Sequence, residues 1–299
     1  MSDSSTTYDP QKATVLPCGR SIVVKPLDGH AQKRLTPNRD GKFEDLPGAI
    51  TDALVRSILT LDGKRHTNDR LRDLVRRMPD GSRRRAFMLA RTITYGSECR
   101  VTPKCPHCGQ DNESAWHLDE IADLAYDPAI LADGWTLTLQ DHAGKAYRFL
   151  IGVESGVTDE QFQKFVTQGH LGPIDRPLAL VKELDGKVVG PRALLDLPGD
   201  VLNALRQVHA LTEPRTFLSP DHEAAWRAKA LDLGRKLGVT IEREEPTEGE
   251  DEGDEKLWFP MGGPKTRVQL ACRGCSKPFF FSLHDDPSFF FQHIVSALD

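Results

Sequence analysis

The sequence predicts an α+β fold made of two quasi-repeated units of short strands and helices. Three observations carry that expectation. Runs with apolar residues at helical spacing are interspersed with short β-branched runs, without the strict strand–helix alternation that a parallel sheet requires. Two Cys-x-x-Cys pairs, Cys105/Cys108 and Cys272/Cys275, each follow a strand-like run. The surroundings of the pairs also echo each other. "RVTPKCPHC" (Arg100–Cys108) and "RVQLACRGC" (Arg267–Cys275) share Arg-Val, three residues and then the pair, and each leads to an aromatic-x-Leu, at Trp116–Leu118 and Phe281–Leu283.

The elements follow in order. Residues 1–19 read as a flexible arm, and 20–98 as the first α+β unit. A strand is expected in "RSIVVKPLDG", ending at the turn-forming Asp28-Gly29. A helix is expected from Pro47 through Ile50, Leu54, Ile58 and Leu61 to a stop at Gly63. "SRRRAFMLARTITYG" reads as a second helix with Phe87, Ala90 and Ile93 on one face and Gly96 as its end. Residues 99–120 form the first cysteine segment, entered by the strand "ECRVTP".

The second α+β unit is expected over 121–240. It opens with strands "WTLTLQD" and "YRFLIGV" around the turn "HAGKA". A helix follows in "TDEQFQKFVTQG", where Thr158 and Gln161 have the spacing of a capping box. Asp185-Gly186 closes the hairpin "LALVKELDGKVVG". "LPGDVLNALRQVHAL" and "SPDHEAAWRAKALDLGRKLG" are the next helices. Residues 241–258 are an acidic linker: nine acidic and two basic residues lie between Glu242 and Lys256, too polar a run to bury a core. Residues 259–299 hold the strand "TRVQLAC", the second pair and a tail helix capped at Asp286. The tail carries Phe289, Phe290, Phe291, Ile294 and Val295, which either cover the protein's own core or, with the helix near Phe87, offer apolar contacts to partners.

Two Cys-x-x-Cys turns supply the four thiolates that a tetrahedral Zn²⁺ takes, so the expected ligands are Cys105, Cys108, Cys272 and Cys275 and the expected element is a zinc ribbon. Four thiolates leave no open position, which makes such a zinc structural. The alternatives are a redox pair, which calls for a βαβ context that is missing, and reduced bystander thiols. The long separation of the pairs is no obstacle, because loop-closure entropy grows only with the logarithm of length. His107 is expected as a solvated spacer, Cys99 as a small buried hydrophobe, and Cys18 has no assigned chemistry.

Composition narrows the function. At 299 residues and 38% hydrophobic content the chain has room for two domains with generous surface. A net charge of −5 gives no overall pull toward nucleic acid. The start has no apolar signal segment, no window reaches the length of a membrane span, and six cysteines mostly in pairs suit a reducing cytoplasm. No nucleophile elbow or His-Glu-x-x-His is present, and "GGPKT" (Gly262–Thr266) lacks the register of a phosphate loop and reads as a turn. Asp221–Glu223 reads as acidic capping of a helix rather than an acid–base cluster. The expectation is a protein without enzymatic activity. The stretch from Lys64 to Arg100 holds eleven Lys or Arg and keeps a nucleic-acid-binding zinc ribbon as the alternative, although its arginines flank apolar positions as a solvated helix face does.

Three segments in order resemble one family. "RSIVVKPLDGHAQKRL" is similar to its opening strand and turn into a helix. "RRAFMLARTITYGSECRVTPKCPHCG" is similar to its helix, strand and Cys-Pro-x-Cys-Gly. "KELDGKVVGPRALLDLPGDVLNAL" is similar to its hairpin before Leu-Pro-x-Asp and a helix. The family is that of the T-even-type phage baseplate hub assembly proteins, of contractile tails and related injection systems. The resemblance implies a non-enzymatic part in building the hub or baseplate, with other tail proteins as partners. It places the protein in the host cytoplasm during assembly or in the virion tail, and puts zinc on Cys105, Cys108, Cys272 and Cys275. The acidic insertion and the "CRGCS" of the second pair depart from the family's pattern.

Overall fold

Asp-Gly pairs make two of the tightest reversals in the chain. Asp62 and Gly63 have φ of 53° and 71°, and Asp185 and Gly186 have 50° and 74°. Two successive positive φ values give the type I′ turn whose twist matches a β-hairpin. A computed structural model describes residues 13–36, 45–212, 240–241, 262–264 and 266–283. Among these, helix and strand are mixed, and the chain divides into two units. The first comprises the described residues up to Ala125 and from Gly263 onward, and the second runs from Tyr126 to Gly262.

The first unit begins with β1 (Thr14–Val15), β2 (Ser21–Val24) and α1 (Gly29–Arg34), then α2 (Leu46–Ser57) and β3 (Ile58–Leu61). Strands β1, β2 and β3 form one antiparallel sheet in that order. The arm expected over 1–19 therefore ends earlier: Thr14 pairs with Ile22, and Leu16 is buried. The helix expected through Gly63 is also shorter. Ile58 and Leu61 belong to β3, because Asp62-Gly63 is a hairpin turn, bridging Leu61 to Lys64, and not a helix stop. Next come α3 (Asn68–Arg77), α4 (Asp80–Tyr95), β4 (Glu98–Val101), β5 (Ser114–His117) and β6 (Asp123–Leu124).

Helix α4 is the centre of this unit's core. Ala86, Phe87 and Ala90 are essentially inaccessible and pack with Ile22, Val24, Leu54 and Leu61. Phe87, expected as a contact surface, is thus spent inside the protein. Two of the arginines expected on a solvated face are buried as well, Arg83 and Arg91 each 1% exposed. The helix can bury them because backbone and hydroxyl acceptors lie within reach. Arg83 donates to Thr51 Oγ1 at 3.0 Å and to the Pro47 carbonyl at 3.4 Å, and Arg91 donates to the Glu98 carbonyl at 3.5 Å. On α2, the buried carboxylate of Asp52 takes Arg34 of α1 and Arg72 of α3, tying three helices together.

The second unit holds α5 (Pro128–Asp133), β7 (Trp135–Gln140), β8 (Ala146–Ile151), α6 (Gly156–Thr167), β9 (Val181–Leu184), β10 (Lys187–Val188), α7 (Gly199–Thr212) and β11 (Thr240–Ile241). Its sheet is antiparallel in the order β10-β9-β8-β7-β11. Burial alternates along β7, with Trp135, Leu137 and Leu139 facing the core and Thr136 and Thr138 more open. The expected capping box is displaced. Ser155 is the cap of α6; its hydroxyl accepts from the Thr158 amide, and Thr158 Oγ1 accepts from the Ser155 amide at 2.8 Å.

The chain re-enters the first unit at β12 (Gly263–Pro264), β13 (Arg267–Ala271) and β14 (Pro278–Ser282). "GGPKT", expected as a turn, instead contributes Gly263 and Pro264 to a two-stranded pairing with Leu124 and Asp123. The helix expected over 219–238, Asp221–Glu223, the acidic linker, the tail helix and residues 1–12 lie outside the described residues. No helix among the described residues is long and apolar enough to cross a membrane.

Replacing Phe87 by Ala is expected to lower stability by about 3–5 kcal/mol, since it empties a sealed position. Replacing the partly exposed Leu59 should change it by less than about 1 kcal/mol. Urea midpoints of the two variants check the difference.

Candidate metal centre

Each cysteine pair sits in the turn of a two-stranded hairpin. In the first, β4 and β5 pair with Val101 opposite Ser114; in the second, β13 and β14 pair with Val268 opposite Phe281. One offset, 167 positions (272 − 105), carries Cys105 to Cys272, Cys108 to Cys275 and the whole register of one hairpin onto the other. The likeness extends to the backbone of the turns. The Cys105 amide donates to Gln110 O at 2.9 Å, and the Cys272 amide to Lys277 O at 3.0 Å. Gly109 N donates to Cys105 O, and Ser276 N to Cys272 O, both at 2.9 Å. The aromatic-x-Leu echo seen in the sequence does not share this offset: Phe281 is placed as Ser114 is, two residues before Trp116.

The departure noted in "CRGCS" has a local consequence. Gly109 has φ of 73°, and Ser276 takes the same left-handed backbone, at 58°. Glycine adopts it freely, whereas a residue with a Cβ is strained there.

The turns bring the four thiols together. Cys105 Sγ lies 3.8 Å from Cys275 Sγ, Cys108 Sγ lies 3.5 Å from Cys272 Sγ, and all four sulfurs fall within 4.8 Å of one another. A metal held by thiolates at about 2.3 Å in a tetrahedron needs sulfur–sulfur edges of about 3.8 Å. The four cysteines fit that demand and could hold a metal ion. The chain thereby joins two hairpins of its first unit, with the entire second unit inserted in sequence between them.

The electrostatics of the thiols are unequal. Backbone amides aim at sulfur: His107 N at Cys105 Sγ (3.4 Å) and Gly274 N at Cys272 Sγ (3.3 Å). The Cys275 amide, aided by that of Gly274, lowers the Cys272 thiol to about 6 despite burial. The Gln110 amide pulls the Cys108 thiol down, but the sulfurs of Cys272, Cys275 and Cys105 together with desolvation outweigh it, and the thiol is pushed up to about 12. One sulfur is therefore ready as thiolate at neutral pH, and another keeps its proton until a cation displaces it.

Asn112 escaped the reading of the sequence. It is 2% exposed, and its side chain spans the two hairpins: Oδ1 accepts from the Arg273 amide at 2.9 Å, while Nδ2 donates to Gln110 O at 2.8 Å and approaches Cys272 Sγ at 3.8 Å. Nothing in "GQDNES" marks it, since its partner is 161 residues away. His107 is not among the clustered donors; its ring nitrogen meets the Pro278 carbonyl at 3.4 Å, a second link across the hairpins. Cys99 is fully buried in the core of the first unit, as expected of a small hydrophobe. The Cys18 amide donates to Ser82 Oγ at 3.0 Å.

Family models, curated proteins and solved structures give no match to this chain. The reading of the centre rests on its donor atoms.

Three outcomes are expected. Asn112→Ala should weaken metal affinity by about tenfold or more, as loss of a group orienting the ligands does, measured by chelator competition. Metal binding should release protons, because Cys108 must give one up, so affinity should rise with pH; calorimetry in buffers of different ionisation enthalpy reads that release. Ser276→Gly is expected to raise the stability of the metal-free chain by about 1 kcal/mol in urea titration.

Proposed function

We propose that Cys105, Cys108, Cys272 and Cys275 hold one structural Zn²⁺, and that the protein acts without catalysis, through protein–protein contacts in the assembly of a contractile-tail baseplate or hub. The closed quartet of thiols carries the reading. An all-sulfur tetrahedron suits zinc or an iron–sulfur centre, and with four protein ligands zinc has no position left for water or substrate. What zinc would supply there is a link between the turns of two hairpins whose strands already share the main core of the first unit. The tail role draws on the order of the three segments that resemble the T-even-type hub assembly proteins. Its partners would be other tail or baseplate proteins, met in the host cytoplasm.

The alternative, a nucleic-acid-binding ribbon, would use the arginines between Lys64 and Arg100. Many of them are turned to internal partners. Arg72 meets Asp52, Arg77 meets Asp73 at 2.9 Å, Arg84 meets Asp80 at 2.5 Å and Arg85 meets Asp123 at 2.9 Å. A phosphate backbone would have to compete with carboxylates already in place, which favours the assembly reading.

Protein purified without added metal should be colourless and carry one zinc per chain, lost from a Cys272→Ser, Cys275→Ser variant by elemental analysis. A coloured iron centre, or no metal at all, would overturn the zinc assignment. For the tail role, disruption of the gene in its parent phage or injection-system locus should leave particles without baseplates in electron micrographs. Normal, functional tails would rule that role out.

A further inference from the structure

Between the end of β2 and the start of α3 the first unit opens a groove of about 410 Å³. Its apolar lining is Val55 and Ile58, both buried, and Leu59, 41% exposed. Much of the rest of the wall is basic and comes from separate stretches of chain: Lys25 after β2, Arg56 in the last turn of α2, and Arg65, followed by His66, in the loop before α3. Asn68, the first residue of α3, stands at the same rim.

One carboxylate, Asp28, lines the groove, and it is already engaged. It caps α1 by accepting from the Ala31 amide at 2.8 Å and meets Arg56 at 3.2 Å. The Ala31 amide, with Arg56 beside it, holds Asp28 below the usual carboxylate range. Lys25 and Arg65 differ from the arginines of α3 and α4: among the described residues, neither has a carboxylate partner. The groove thus gathers more cations than its single acid answers, around a concave apolar floor.

We propose that this groove binds a small phosphorylated molecule. Lys25 and Arg65 grip the phosphate, and the body of the ligand lies on Val55, Ile58 and Leu59. Guanidinium forks and an ammonium match phosphate oxygens in geometry and charge. The volume lies within the range of small-molecule sites and near its lower end, which suits a ligand of nucleotide size. The site is separate from the thiol quartet and does not depend on the tail role.

The test is isothermal titration of the full chain at low salt with ADP, inorganic pyrophosphate and a poly-glutamate peptide as probes. Saturable binding of ADP and pyrophosphate is expected, ADP being the tighter because its body reaches the apolar floor. A Lys25→Ala, Arg65→Ala variant should bind both at least about tenfold more weakly, with an unchanged circular dichroism spectrum, since both side chains are exposed. The proposal is overturned if neither phosphate compound saturates at millimolar concentration. It is equally overturned if the variant binds as the parent does, if ADP binds no tighter than pyrophosphate, or if only the acidic peptide binds.

Discussion

Four sulfurs at one point constrain how the early and late segments of the first unit meet. The hairpins that carry them share a small apolar cluster, Cys105, Cys272 and Phe279 with Leu270 and Cys275 at its edge. Burying one aromatic side chain there is worth about 2–3 kcal/mol. Occupancy of a four-thiolate site by zinc is worth about 10–16 kcal/mol in small domains at neutral pH. The strands themselves are anchored elsewhere: Cys99, Val101 and Leu118 from one hairpin and Val268 and Leu283 from the other are buried in the main core of the unit, so a bound cation would fix the turns rather than hold the hairpins in place. Asn112, Arg273 and His107 add polar links across the seam, and their part is to aim the turns rather than to hold them.

The same unit spends its arginines on itself. A stretch with eleven cationic side chains invites a reading as a binding face, yet the fold turns much of it toward Asp52, Asp73, Asp80 and Asp123, and it buries Arg83 and Arg91 against carbonyls. Exposed pairs of this kind contribute little each, about 0–1 kcal/mol. Asp52, buried between three helices, constrains more, because removing both Arg34 and Arg72 would strand its charge out of water. Among the described residues Lys25 and Arg65 have no carboxylate partner, and there the surface is left with charge to offer.

Much of this was legible in the sequence, and the failures have physical causes. Cys105, Cys108, Cys272 and Cys275 announce themselves because thiol pairs at that spacing have few structural uses. Asp185-Gly186 and Gly96 were readable because a left-handed backbone restricts the residue type. Asp62-Gly63 carried the same signal as Asp185-Gly186, but apolar spacing from Ile50 to Leu61 fits a helix for as long as the turn goes unheeded. Ser155 was missed as a cap because Thr158 offers a second hydroxyl one turn later. Arg83, Arg91 and Phe87 were misjudged for one reason: which face of a helix is buried depends on what else packs there, and Thr51 and Pro47 are distant in sequence. Asn112 was beyond reach, since one amide side chain acquires its meaning only when the other hairpin arrives.

The insertion of a whole unit between the two hairpins has a consequence in time. Cys108 and Cys272 are 164 residues apart, so a ribosome adding about 5–20 residues per second completes the second hairpin some 8–30 seconds after the first. Throughout that interval the first pair lacks the two thiols it is to meet, and β4 and β5 lack their partner hairpin. The inserted unit, whose own strands are all in hand sooner, can fold while the outer one waits. The last part of the first unit to take shape is therefore the seam that joins its earliest and latest segments, and a chain cut short before Cys272 could never close it.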